Sequence, residues 1–346
     1  MPLDIACRAI DSFEYRDKVR VCLYGGEPFI AFNTMRDIIH YMEDRGIEAT
    51  YHTTTNATLI TPEIADFIRE KQMSVIVSLD GPKHIHDGMR KFKNGAGSFD
   101  RTMEGFNNLR SHGVQPSLIR ATFGPDNPHL LERMKFLTEL IEDGWARYVS
   151  IEPYSNSAEG CAYSNARDFT IDDVERIRED YYEATDFIID RIRDNKPVSF
   201  RQILSFSKRL VDNKWYYNEC GAGVKIATVG VDGTIFACHR QSKTAIGSVF
   251  DGVDISKRMA WFKSMMNIPK KCLDCDLYMM CGGPCREQNL RIGLDIDEPD
   301  PVFCAFKRIW IDCGIRLIRS ISREKAEKRN QECNKQRSSG ICCNHL

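Results

Sequence analysis

The chain has 346 residues, with 48 Lys and Arg against 49 Asp and Glu, and 42% hydrophobic content. A net charge near zero argues against a polyanion-binding protein, so no nucleic acid partner is expected. No run of eighteen apolar residues occurs, so no membrane-spanning segment is expected, and the length allows one large domain plus a smaller one.

The first 150 residues read as alternating strand and helix. Strands are expected at 19–24, 49–54, 74–79, 117–122 and 147–152, each short, rich in β-branched or apolar residues and ending in polar or glycine-containing sequence. A helix-like stretch, 2–13, precedes the first of them. Between the strands, 34–45 carries Met35, Ile38, Ile39 and Met42 at helical spacing, and 61–70, 98–112 and 128–143 share the same pattern. Pro62 and Pro128 suit first helical turns, and Gly113 and Gly144 suit C-terminal caps. Repeated βα units imply a parallel sheet, barrel or doubly wound, and in a parallel barrel chemistry sits at the C-terminal strand ends.

Those ends are polar. The first strand runs into Gly25-Gly26-Glu27-Pro28, the second into Thr53-Thr54-Thr55-Asn56, and the third into Ser78-Leu79-Asp80-Gly81-Pro82 with Arg90 soon after. The fourth contains Arg120. Two glycines let backbone approach a ligand closely. Taken singly, each end also fits a tight turn or a helix cap. Together they place Glu27, Asn56, Ser78, Asp80 and Arg120 around one barrel mouth.

Residues 156–218 link this region to the C-terminal part of the chain. Within them, 170–193 reads as one long helix starting with acidic residues, with Tyr181, Tyr182 and Phe187 as core. Trp215, Tyr216 and Tyr217 read as packing residues, with a substrate path as the alternative.

Seven cysteines then fall in order between 220 and 304. Cys220 is followed by twelve residues, Gly233, four residues and Cys238, then by Cys272-x2-Cys275-x5-Cys281-x3-Cys285 and finally Cys304. Disulfides fit poorly, because 14 cysteines in a chain long enough to bury its own core are not a disulfide scaffold. Many thiols without a signal-peptide pattern suggest a reducing, cytoplasmic setting. Tetrahedral zinc remains open, although only one CxxC pair is present. Buried cysteines acting as small apolar residues would not need a fixed seven-position pattern. Cys313 reads as such a structural residue. The stretch 322–346 is charged and weakly periodic and reads as a helix end followed by disorder, within a charged tail over 316–346 expected to be disordered; Cys333, Cys342, Cys343 and His345 read there as a loose tail, with metal binding as the alternative.

The order GGEP, TN, SLDGP and seven cysteines resembles the radical S-adenosylmethionine (AdoMet, SAM) superfamily, in its SPASM-containing branch of peptide maturases. The resemblance covers roughly 1–315. It implies an α/β fold: a partial (β/α)6 TIM-like barrel over 1–155 lacking its first strand, then a cysteine-rich SPASM domain over 219–315. It implies that Gly25, Gly26 and Glu27 bind the AdoMet amino group, that Ser78 contacts the ribose and that Arg120 pairs with the carboxylate. Asn56 and Asp80 complete the expected cofactor set. It also divides the cysteines. Cys272, Cys275, Cys281 and Cys304 would hold one auxiliary [4Fe–4S] cluster, and Cys220, Cys238 and Cys285 the other. The fourth ligand of the second is an open iron position, or comes from elsewhere, for example Cys161 or a substrate thiolate. Cys238-His239-Arg240 is similar to the start of SPASM domains in peptide-crosslinking maturases, so a cysteine-containing precursor peptide and a flavodoxin- or ferredoxin-type reductant are the implied partners.

One element of the family is absent. Its catalytic [4Fe–4S] cluster sits on a CxxxCxxC loop, and this sequence contains none; Cys281 and Cys285 have the first spacing but position 288 is Gln. That third cluster, which reduces AdoMet to a 5′-deoxyadenosyl radical, is expected only in a longer form. The expectation is therefore an N-terminally truncated, inactive member, with no catalytic residues of its own. The alternatives are a non-catalytic iron–sulfur electron-transfer or peptide-binding protein, or a relative of the sulfatase maturases.

Overall fold

The computed structural model describes residues 1–15, 18–154, 167–198, 200–216, 218, 220–240 and 244–338, and of 324–338 the backbone alone. Cys161, Tyr217, Cys342, Cys343 and His345 lie outside the described residues, and the side chain of Cys333 is not described.

Helix α1 (Leu3–Ser12) leads into β1 (Val19–Leu23), a 3-10 turn (Pro28–Ala31) and α2 (Phe32–Asp44). The βα alternation continues with β2 (Ala49–Thr55), α3 (Pro62–Glu70), β3 (Ser74–Ser78), α4 (Lys83–Met89), α5 (Phe99–Ser111), β4 (Leu118–Phe123), α6 (Leu130–Glu142) and β5 (Val149–Pro153). The five strands pair in sequence order, every pair parallel. β1 is an edge strand. Beyond β5, among the described residues, the sheet continues as a parallel bridge between Val149 and Phe200. The expected strands and helices are thus present within two residues at each end. Thr61 caps α3 by accepting from the Ile64 amide, with Pro62 in the first turn. Gly113 and Gly144 follow α5 and α6 with φ of 76° and 77°, as left-handed caps do.

Side chains along the strands alternate between the two faces of the sheet. On β1, Val19, Val21 and Leu23 pack toward the helices, while Arg20, Cys22 and Tyr24 take the other face. Gly105 lets α5 pack directly on the turn after β2, where a Cβ would lie 1.8 Å from the Ala57 carbonyl oxygen.

The expected long helix over 170–193 is two: α7 (Ile171–Arg176) and α8 (Arg178–Arg193), divided at Ile177. A capping box between Thr170 and Asp173 starts α7. With α9 (Arg201–Val211) and α14 (Pro301–Ser338), these helices share the core of the sheet: Tyr181, Ile188, Ile203, Phe306, Ile309 and Cys313 join Phe123 and Ile151 in one cluster. The region expected to be a link is therefore part of the barrel's packing.

The cysteine-rich part has its own small core and sheet. Strands β6 (Thr228–Val229), β7 (Thr234–Phe236), β8 (Ala245–Ser248) and β9 (Gly252–Val253) form an antiparallel meander, followed by α10 (Ile255–Met266), α11 (Lys270–Leu273), α12 (Tyr278–Cys281) and α13 (Arg286–Arg291). Gly233 of the cysteine motif makes the β6–β7 turn at φ 85°, and a Cβ there would meet Val249 at 2.8 Å. Helix α1 joins the two parts, with Ile10 in the barrel core and Ala9 in the meander core. Contrary to the disordered tail expected from 316, α14 runs on to Ser338. Its later residues, rich in Lys, Arg, Glu and Gln, favour helix without needing a packed face. Among the described residues no helix is long and apolar enough to cross a membrane.

Candidate cofactor and metal sites

The C-terminal strand ends carry the first site. Ser78 pairs in register with Arg120, and Arg120 with Ser150. Thr55 pairs with Val77, so Asn56 ends the same row. Glu27 reaches across from the loop after β1: its carboxylate accepts from the Asn56 amide at 2.7 Å, the Thr55 hydroxyl at 2.8 Å and the Phe29 amide at 3.3 Å. Burial raises its pKa, and these three hydrogen bonds oppose the rise. Glu27 therefore fixes the Gly25-Gly26 loop against the end of β2. Asn56 uses its carbonyl oxygen to hold the Thr58 amide and hydroxyl.

Asp80 does not line this mouth. It is 0% exposed, pairs with Arg90 at 2.7 and 3.1 Å, and accepts from the Thr122 amide at 2.9 Å. Fully buried Arg133 holds the same corner by donating to the carbonyls of Asp80, Thr122, Pro128 and Asn127. Asp80 belongs to the clamp between the ends of β3 and β4, because a buried carboxylate is tolerated only when paired and hydrogen-bonded.

Two features fit an AdoMet-like ligand. Among the described residues the Nε of Arg120 is buried with no hydrogen-bond partner, a costly state that an anion's oxygen would relieve. Among the described residues nothing lies within 4 Å of a Cβ built on Gly25 or Gly26, so backbone there faces open space. The sequence reading missed other groups on this face. Cys22 lies near Arg120, and Glu152 takes a hydrogen bond from Ser150 at 2.7 Å, which Gln202 joins at 2.8 Å. Strand alternation was the signal for them.

The seven cysteines sort into two groups by their mutual influence. Cys304 is pushed up to about 11 by burial first, then by Cys281, Cys272, Asp300 and Cys275. Burial also raises Cys272 and Cys281, with Cys275 adding to both. Separately, burial and then Cys285 raise Cys220, while burial, Glu287 and Cys285 raise Cys238. Cys285 thus acts on Cys220 and Cys238, and Cys275 on Cys272, Cys281 and Cys304. Among the described residues no three Cys, His, Asp or Glu side chains converge closely enough to hold one metal ion. The ten described cysteines are free thiols. Cysteine thiolates are the ligands that [4Fe–4S] clusters take; here Cys238 and Cys272 are buried and Cys220 is exposed.

The two sites meet. The ring of Tyr24, next to Gly25, makes an edge contact with His239, next to Cys238, at 5.7 Å between centroids.

The chain is similar to known proteins in sequence and in fold. The sequence profile of the Radical SAM superfamily matches residues 3–137. An uncharacterized protein of Methanocaldococcus jannaschii is 33% identical over 140 residues, covering 40% of this chain and 49% of the relative. A serine-type anaerobic sulfatase-maturating enzyme of Bacteroides thetaiotaomicron is 24% identical over 253 residues, covering 67% of this chain and 59% of the enzyme. The chain thus spans between about half and three fifths of these relatives' lengths. The solved structure of native anSMEcpe with bound AdoMet and Kp18Cys peptide superposes with a TM-score of 0.71 at 18% identity, over 92% of this chain and 88% of that one. Residues 3–137 thus carry the Radical SAM superfamily profile, and the chain is similar in sequence to a sulfatase-maturating enzyme and in fold to anSMEcpe.

Proposed function

We propose that this chain is the AdoMet-binding and auxiliary-cluster part of a peptide- or protein-modifying radical AdoMet system. The observation that carries the reading is Arg120, whose buried Nε lacks a partner among the described residues, beside the strand ends of Ser78 and Asn56. A guanidinium fork held there suits the AdoMet carboxylate. Gly25 and Gly26 admit the amino group to exposed backbone, Glu27 holds that loop in place, and Ser78 offers a hydroxyl to the ribose. When bound beside a reducing cluster, AdoMet supplies hydrogen-abstraction chemistry, and the protein's part is to orient it. The sequence holds no CxxxCxxC triad. These 346 residues are therefore expected to bind AdoMet without cleaving it.

The sulfatase-maturating relative and the peptide-bound neighbour support a peptide or protein as substrate. The finer reading is a cysteine-containing precursor peptide that becomes thioether-crosslinked, with two auxiliary [4Fe–4S] clusters and a flavodoxin- or ferredoxin-type reductant. It is motivated by the group of only three cysteines. If a peptide with Cys replaced by Ser perturbs the cluster spectrum as much as the cysteine form, that reading fails.

Calorimetric titration tests the AdoMet site. Loss of a charged hydrogen bond costs about 1.5–3 kcal/mol, so Arg120→Met should weaken binding at least about tenfold. Equal binding by the variant would remove Arg120 from the site. No binding by the wild-type chain would favour a non-catalytic electron-transfer or peptide-binding protein.

A further inference from the structure

The last strand of the parallel sheet carries a carboxylate that neither the cofactor set nor the cysteines use. Val149 and Ile151 belong to the core shared with the helices, so Ser150 and Glu152 take the other face of β5. Ser150 lies in register with Arg120, and Glu152 with Thr122. Glu152 therefore stands two residues beyond the Arg120 row, about 7 Å further toward the strand's C-terminal end. It is part-exposed there, whereas Ser150 is 0% exposed.

A directed chain of hydrogen bonds holds this carboxylate. Gln202, in the first turn of α9, accepts from the Ile151 amide through Oε1 at 3.4 Å and donates from Nε2 to the Ser150 hydroxyl oxygen at 2.8 Å. The first contact sets the orientation of the Gln202 amide, because its nitrogen could not accept. Ser150 then has one proton, and it goes to Oε1 of Glu152 at 2.7 Å. The chain ends on Oε2, and an ionised carboxylate only accepts. Among the described residues Ser150 is the sole hydrogen-bond partner of Glu152, and no Lys, Arg or His lies within ion-pair distance of it. Asp80, at the end of a neighbouring strand, is instead matched by Arg90 at 2.7 Å. Neutral partners orient Glu152 and leave its charge uncompensated.

We propose that Glu152 binds a cationic side chain, lysine or arginine, of the peptide or protein substrate, with Ser150 and Gln202 as positioning residues. An acceptor-only oxygen selects an N–H donor, and a charged donor makes the stronger bond. Arg120 and Glu152 then give the mouth two poles on adjacent strands, the inner one for an anion and the outer one for a cation. The inference deepens the reading of this mouth as a substrate site and rests on that part of it.

The test is calorimetric titration of the 346-residue chain, with and without AdoMet. The probes are a short alanine–serine peptide with one central lysine and its counterparts with norleucine or glutamate. The wild type should bind the lysine peptide at least about tenfold more tightly than the norleucine peptide, as a charged hydrogen bond allows. Glu152→Gln keeps an oxygen for the Ser150 hydroxyl and should lose this preference. Glu152→Lys should favour the glutamate peptide instead. Ser150→Ala should reduce the lysine preference while leaving binding of the norleucine peptide unchanged. A wild type that binds neither peptide, or both equally, would overturn the inference, as would a Glu152→Gln variant that keeps the preference. Weaker AdoMet binding by Glu152→Gln with an unaltered peptide preference would give the carboxylate to the cofactor and overturn it too. A lysine preference in a chain that binds no AdoMet would sink the cofactor reading and leave this inference standing.

Discussion

At the scale of single residues, Asp80 separates two roles that sequence makes look alike. It lies just past Ser78 at a strand end, where ligand contacts and structural clamps both occur, and only its partners decide. Its carboxylate is buried against Arg90 and Thr122. Removing one member of a buried pair costs about 3–5 kcal/mol. Asp80→Ala should therefore destabilise the ligand-free chain by about 3 kcal/mol in denaturant unfolding; a change too small to resolve would return Asp80 to the ligand site. His86 gives a pH signature. It is 0% exposed, its Nδ1 accepts from the Asp80 amide, and its Nε2 meets the Ser98 hydroxyl. Burial lowers its pKa from 6.5 to about 4. The unfolded chain then takes up this proton before the folded one, so stability falls as pH drops from 6.5 to about 4. The loss is on the order of 3 kcal/mol, and His86→Asn should flatten that slope. An unchanged slope in the variant would place the pH dependence elsewhere. Neither role was legible in sequence, because Asp80 depends on Thr122 of the next strand and His86 on the fold of the loops that carry Asp80 and Ser98. Ser78 and Arg120 were legible, since strand ends of a parallel sheet face one side.

At the scale of elements, the βα units could be read directly because their helices carry regular apolar spacing and their caps are chemically marked, as at Thr61 and Gly113. The inner face of the strands could not. Arg20, Cys22, Ser78, Arg120, Ser150 and Glu152 interrupt the apolar runs expected of a parallel sheet buried on both faces, so hydrophobicity alone misses them. Alternation along VRVCLY in β1 was the available clue. The break between α7 and α8 was also hidden, since Ile177 is itself a good apolar residue for a helix. Glycines in and around the βα loops give opposite predictions. Gly105→Ala would drive a Cβ into the Ala57 carbonyl and should cost about 3 kcal/mol, read as a lower midpoint of thermal unfolding. Gly25→Ala faces open space and should leave that midpoint unchanged while weakening AdoMet binding. Equal destabilisation by both would remove the distinction between a packing glycine and a ligand-facing one.

At the scale of the whole molecule, two cores are held together. Helix α1 contributes Ile10 to one and Ala9 to the other, and α14 carries both Cys304 and the barrel-core residues Phe306 and Ile309. The cysteine spacing announced the second domain, but its attachment was invisible because α14 was divided in sequence between a metal domain and a tail. Tyr24 and His239 then bring the GGEP loop beside Cys238. If the two cysteine groups are independent sites, Cys272→Ser and Cys220→Ser should each remove about four irons while the other site stays loaded. The most direct measurement is iron and acid-labile sulfide per chain after anaerobic reconstitution. The account predicts about eight of each, as two [4Fe–4S] clusters require. Bound zinc with negligible iron and sulfide would contradict it.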